Sequence, residues 1–164
     1  MILDNFTMLS GSVNAAGVLV GQAVTTTAVS TNTYDTGPDL IGGNQPADLG
    51  RGGGLELAFA VTVAPTAAGA ATVLFEYIQA DDAALSVNVE SIVSTGPIPI
   101  ASLPLGTIVP LHVDRAAPYA PRRYVGVRYT VGTGPLTAGS FVASMVVGLQ
   151  DVKNIYPRSG FTVL

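Results

Sequence analysis

The stretch Arg123–Asp151, RYVGVRYTVGTGPLTAGSFVASMVVGLQD, sets two alternating segments on either side of a Gly132-Thr-Gly-Pro135 turn. In the first segment Val125, Val127, Tyr129 and Val131 fall on one face, and Tyr124, Gly126, Arg128 and Thr130 on the other. This is the period of two expected of a half-buried β-strand. In the second, Phe141, Ala143, Met145, Val147 and Leu149 share a face. The opposite face, Val142, Ser144, Val146, Gly148 and Gln150, is also rather apolar, which predicts a strand covered on both sides. No catalytic group lies between the two arms.

The same pattern recurs outward along the chain. Leu55-Glu-Leu-Ala-Phe-Ala-Val-Thr-Val63 alternates cleanly, with Leu55, Leu57, Phe59, Val61 and Val63 expected to face the core. Further strands are expected at Val18–Val24, Val29–Asp35, Ala71–Ala80, Leu85–Ser94 and Thr107–Val113, and the opening pair spans Arg123–Val131 and Ser140–Gln150. No segment carries a sustained apolar stripe of helical period with a cap and a stop, so helix is expected to be minor. Eight strands separated by dispersed Gly and Pro point to an all-β, two-sheet antiparallel sandwich, with the jelly roll as its eight-stranded version. The Gly-rich Thr36–Gly54 and the Pro-rich Gly96–Gly106 read as long loops.

The chain has 164 residues, enough for a single domain over 1–164, with 1–17 read as an extended N-terminal arm and 152–164 as a C-terminal tail. Hydrophobic residues make up 48% and charged residues only 11%, so much of the exterior must be Ala, Thr, Ser, Gly and Val, a surface suited to contact with other protein. The absence of cysteine excludes disulfides, thiol catalysis and thiolate metal sites. No apolar run reaches the ~18 residues of a membrane span, and Met1–Ser10 lacks the basic start of a secretory signal. A soluble, unexported protein is expected.

Charge is unevenly distributed along the chain. Residues 1–110 hold one basic residue, Arg51, against nine acids, whereas 111–164 hold six basic residues against two acids. Two readings stay open at this point. The opposite signs dock one molecule onto another, or they meet within one chain as the strands interleave.

Motifs for chemistry are weak. Gly50-Arg-Gly-Gly-Gly54 lacks the Gly-Lys-Ser/Thr ending of a phosphate cradle and opens onto a strand. His112, the single histidine, has no serine nucleophile on a glycine elbow beside it. Asp81-Asp82 is not followed by the spaced oxygens of a calcium loop and reads as a solvated turn. Glu56, Glu76 and Glu90 fall on expected strands, with nothing to fix the separation that glycoside cleavage needs. An acidic chain with one lysine argues against nucleic acid. The cluster Arg115, Tyr119, Arg122, Arg123, Tyr124 and Arg128 has the residue types that supply interface energy, and it is read either as a protein-contact site or as a solvated loop and strand edge. Ile2, Leu3 and Phe6 make the N-terminus a second contact candidate.

Four stretches carry a family resemblance: Met1-Ile-Leu-Asp-Asn-Phe6, Gly21-Gln-Ala-Val-Thr-Thr-Thr-Ala28, Val93-Ser-Thr-Gly-Pro-Ile-Pro-Ile100 and Tyr129-Thr-Val-Gly-Thr-Gly-Pro-Leu-Thr-Ala-Gly139. In this order they resemble the capsid cement, or decoration, proteins of tailed bacteriophages, in particular the Bordetella-phage type. The resemblance implies a jelly roll made in the host cytoplasm and placed on the outer surface of an icosahedral capsid. It implies the major capsid protein as partner, self-association as a dimer or trimer, no cofactor, no metal and no catalytic residue. A receptor- or carbohydrate-binding module of a phage tail and a small jelly-roll enzyme are the competing classes.

Overall fold

The computed structural model describes residues 7–37, 55–113 and 122–147. These residues form twelve strands: β1 (Met8–Ser10), β2 (Ser12–Val13), β3 (Leu19–Val20), β4 (Gln22–Ala23), β5 (Ala28–Val29), β6 (Tyr34–Asp35), β7 (Leu55–Thr66), β8 (Thr72–Ala80), β9 (Glu90–Pro99), β10 (Ile108–His112), β11 (Tyr124–Gly132) and β12 (Ala138–Val147). Among the described residues a single 3-10 turn, Ile100–Ser102, is the helical content. The expectation of an all-β sandwich is met.

β1 and β4 lie along one edge of β12, which continues through β7 to β10; β5 and β6 lie along β11, which continues through β8 to β9. If β1 with β4, and β5 with β6, are each taken as one interrupted strand, eight strands remain. They pair first with eighth, second with seventh, third with sixth and fourth with fifth, all antiparallel. This nested pairing is a long hairpin rolled up on itself, the jelly roll. β12 against β7 and β11 against β8 close the two sheets.

Between the sheets sits one core. Leu57, Phe59, Val61, Val73, Phe75, Tyr77, Val125, Val127, Tyr129, Phe141, Ala143 and Met145 all belong to it, as the alternation of β7, β11 and β12 requires. Phe75 packs edge-on to Tyr129 and Phe141 at 5.8 and 5.3 Å, and Tyr129 stacks on Phe141 at 5.4 Å. The Tyr129 hydroxyl is hydrogen bonded to Ser10 Oγ, which also donates to the Phe141 carbonyl at 3.3 Å. Burial pushes the Tyr129 phenol well above its ordinary pKa, against a smaller opposing effect of Ser10, so it stays neutral. As expected, β12 is covered on both faces: Val142, Ser144 and Val146 are buried too.

The structure corrects several sequence expectations, each for a local reason. Val63 is exposed, because the pairing of β7 with β12 slips between Val61 and Val63 and the extra residue turns the alternation outward. The expected strand Leu85–Ser94 starts only at Glu90 and runs to Pro99, so the first four residues of the expected Pro-rich loop, 96–99, are strand. β9 is a sheet edge, where Pro97 and Pro99 withhold no ladder donor that the fold needs. Leu85 instead belongs to a loop, with φ of 53°, and plugs a small second core with Ile78 and Ala80 on the outer face of β8.

The segment expected as an extended arm enters the sheet at Met8, and Met8, Leu9 and Ser10 are buried. Between β1 and β4 the chain makes an excursion, the β2–β3 hairpin, whose turn is tied by Asn14 accepting from the amides of Ala16 and Val18. Residues 1–6 and the tail 152–164 lie outside the described residues.

The connections sort to two poles. Within the described residues every crossing from one sheet to the other is at one end: β4 to β5, β7 to β8, β9 to β10 and β11 to β12. These turns are knitted together. The Leu136 amide donates to Thr25 O at 2.8 Å, Thr137 N to Thr66 O at 2.7 Å, and Ile100 N to Ala71 O at 3.2 Å. We call this the turn pole. At the other pole lie Thr7, Gly37, Leu55, Val113, Arg122 and Val147, where the chain enters and leaves the described regions, together with the loop 81–89.

Gly21, between β3 and β4, is where the backbone presses hardest on its neighbour: a Cβ there would stand 2.1 Å from Thr62 Oγ1 and 2.9 Å from the Phe141 amide nitrogen. Around Gly69, on the turn pole, the corresponding space is open. Gly21→Ala is expected to cost about 1–3 kcal/mol of stability. Gly69→Ala is expected to be neutral within about 0.5 kcal/mol, and urea unfolding of the two variants checks the contrast.

Candidate functional site

β11 carries Arg128, Arg122 and Arg123 lie just before it, and the neighbouring strands and loop carry acids. Arg128 lies directly opposite Glu76 in the register of β11 with β8. Its guanidinium donates to both carboxylate oxygens, from Nε at 2.7 Å and Nη2 at 2.9 Å, the two-pronged geometry that suits arginine to a carboxylate. Thr130 Oγ1 donates to Glu76 at 2.8 Å and Ser91 Oγ at 3.1 Å. The hydrogen bond from Arg128, with those from Thr130 and Ser91, holds the Glu76 carboxyl below its ordinary pKa in spite of burial. A general acid needs the opposite shift.

Arg123 makes the same two-pronged contact with Asp35 on β6, at 2.8 Å from each nitrogen, and leans over the Tyr124 ring at 5.1 Å. Asp35 also accepts from the Gly37 amide, and the Arg123 hydrogen bond first, then that amide, lower its pKa. Arg122 Nη1 donates to Asp81 at 2.7 Å, and its Nε stands 3.6 Å from Glu90. Gln79 bridges this cluster, accepting from the Arg122 amide and donating to Glu90.

Asp81 and Asp82 shape the loop that follows β8. Asp82 accepts from the amides of Ser86 and Val87, both at 2.8 Å, and from Ser86 Oγ at 2.7 Å; Asp81 accepts from Asn88 at 2.7 Å. Asp82 therefore caps the turn, and Asp81 braces it through the side chains of Asn88 and Arg122. His112 faces Glu56 across β10 and β7 with Nδ1 3.7 Å from the carboxylate, and its side chain is 63% exposed. Both lie on a strand surface.

Among the described residues the acids of the first part of the chain meet the arginines of the second part inside one molecule, because antiparallel pairing lays β11 against β6 and β8. Arg128 stands on β11, and Arg122 and Arg123 immediately precede it. Arg115, Tyr119, Ile2, Leu3, Phe6 and the Gly50–Gly54 run lie outside the described residues. The partners Asp35, Glu76 and Asp81 were not paired with the arginines from sequence, since the charge imbalance shows that partners exist without showing which strands meet.

The family model of Bbp16 matches residues 18–145, a span that runs from the β2–β3 turn into β12 and so contains nearly the whole sandwich. The chain belongs to the Bbp16 family. That family bears the name of a Bordetella phage protein, which is consistent with a phage protein. No curated protein matches the chain. The Bbp16 span includes the three paired arginines and their acids, which places the ion pairs in the part of the chain that the family shares.

Replacing Glu76 by Gln tests the central pair. Because the folded-state pKa of Glu76 is lowered, its carboxylate stabilises the Bbp16 fold fully above the unfolded value of about 4.3, and that contribution fades as pH falls through the lower folded value. Arg128 keeps a third of its side chain in solvent, so the loss is smaller than for a fully buried pair, about 2 kcal/mol at pH 7. The stability gap between the wild type and Glu76→Gln should be constant from pH 7 to 5 and close below pH 4, as read by thermal unfolding.

Proposed function

We propose that this Bbp16-family protein is a non-enzymatic capsid decoration protein. It binds the outer surface of an icosahedral phage shell as a homo-oligomer and bridges neighbouring copies of the major capsid protein. The observation that carries this reading is how the charged side chains are used: Arg122, Arg123 and Arg128 are bound by acids of the same chain, and Asp82 caps a turn. Side chains committed in this way build a rigid block.

A rigid block acts on a shell through linkage. A protein that binds only the assembled state stabilises it by mass action, in proportion to the logarithm of its free concentration over its dissociation constant. An oligomer with two or more shell-facing patches gains further, because once one patch docks the others act at raised effective concentration. Opening the shell then requires breaking the bridging contacts, and no single contact needs to be strong.

The purified protein should pellet with undecorated shells of its own phage, and shells so decorated should withstand heating by several degrees more than bare ones. Failure to pellet with shells, or decorated shells that melt with the bare ones, overturns the reading. Association with isolated tails in place of shells would give the chain to the tail-module class.

A further inference from the structure

The charged residues are sorted by the topology and not by the halves of the chain. Residues 5–34, 57–75, 91–111 and 129–150 contain no Asp, Glu, Lys or Arg. Each of these stretches spans one connection of the turn pole: residues 24–27, 67–71, 100–107 and 133–137. Every described charged residue lies in the other half of the sandwich or at its middle. The nearest to the turn pole are Glu76 and Arg128, four residues from Thr72 and Gly132, where β8 and β11 end, or about 13 Å along the strand. Among the described residues the turn pole therefore carries no charged side chain.

This pole is also apolar and firm. Leu105 is 69% exposed at its tip and Val63 47% exposed at its flank, among exposed Thr25, Thr26, Thr27, Ala68 and Pro135. The hydrogen bonds that join its turns, from Leu136 to Thr25 and from Thr137 to Thr66, order it before any partner arrives, so docking loses little loop entropy.

We infer that the turn pole is the surface that meets the shell, and that its partner is an uncharged, Ala/Thr/Leu-type face of the capsid protein. The inference rests on the decoration reading and names the face it uses. Two costs decide between the poles. Burying the charged pole desolvates ionised groups that already have partners and gain nothing by exchanging them. Burying the turn pole removes apolar and hydroxyl surface from water at little electrostatic cost. Solubility works in the same direction, since a particle coated with these proteins keeps its charge on the side that faces water. The absence of charge on the turn pole selects a partner face that is likewise uncharged, because a carboxylate or ammonium buried against it would find no counterion.

The test is co-sedimentation with undecorated shells of the same phage at 50 and 500 mM NaCl, using the wild type, Leu105→Asp and Thr26→Asp on the turn pole, and Val87→Asp and Arg123→Gln on the other. All four positions are exposed, and circular dichroism confirms folding. Each turn-pole variant should lose at least about tenfold in affinity, because the new carboxylate is buried unpaired. Val87→Asp and Arg123→Gln should stay within about twofold of the wild type, and wild-type binding should change by less than about twofold between the two salts, since there is no interfacial charge to screen. Wild-type binding with undiminished Leu105→Asp and Thr26→Asp, a loss confined to Arg123→Gln, or a steep fall with salt overturns the turn-pole assignment and leaves the decoration reading standing. If the wild type itself does not bind, the decoration reading fails and the assignment falls with it.

Discussion

The stack of rings between the sheets holds the rest of the molecule in place. Phe59 of β7 and Phe75 of β8 meet from the two sheets with ring centroids 4.9 Å apart, and Tyr129 and Phe141 complete the cluster from β11 and β12. Without disulfides or metal ligands among cysteines, the separation of the two layers is set by these side chains and by the aliphatic residues around them. The phenol of Tyr129 then reaches across to Ser10, so that the short first strand is fastened through a buried polar contact. Such a contact restricts the packing to one arrangement, because any shift leaves a hydroxyl unpaired in an apolar interior.

Outside the core, arginine and carboxylate pairs knit the second sheet. Glu76 collects four hydrogen bonds from three side chains. Arg123 closes β6 onto β11, and Arg122 holds the loop 81–89, whose Leu85 fills the space above Gly126. A leucine at positive φ is costly in isolation. Here the Asp82 cap on one side and the apolar socket of Ile78 and Ala80 on the other compensate for it.

The strands of this protein were legible wherever both faces of a segment kept a constant environment. Within the described residues the arms around Gly132–Pro135, as far as Met145, and the run Leu57–Val61 read correctly because one side meets the core throughout. The alternation misled where a bulge intervened, at Val63, and where a loop carried its own small core, since Leu85 and Val89 imitate the start of a strand. Gly21 read as the interior of one strand, and only the close passage of β12 shows why the chain must break there. The nested order of strands was not legible from periodicity, which is a local property, whereas order depends on contacts between distant segments. The same holds for charge: the linear count divides the chain near residue 110, but the physical division follows from how strands reverse. The arginines were picked out by residue type, and their carboxylate partners came into view only with the register of β8 and β11.

The interrupted first strand has an engineering consequence. The β2–β3 hairpin leaves the sheet after Ser10 and returns at Gln22, so its tip, Asn14–Val18, carries none of the ladder that joins β1 and β4 to β12. A peptide grafted into that tip lengthens a loop whose ends are already fixed side by side, and the entropic penalty of such lengthening grows only logarithmically. The outer side of the sandwich thereby offers a cargo position separate from both poles, at which a foreign epitope can be displayed while the roll beneath it stays closed.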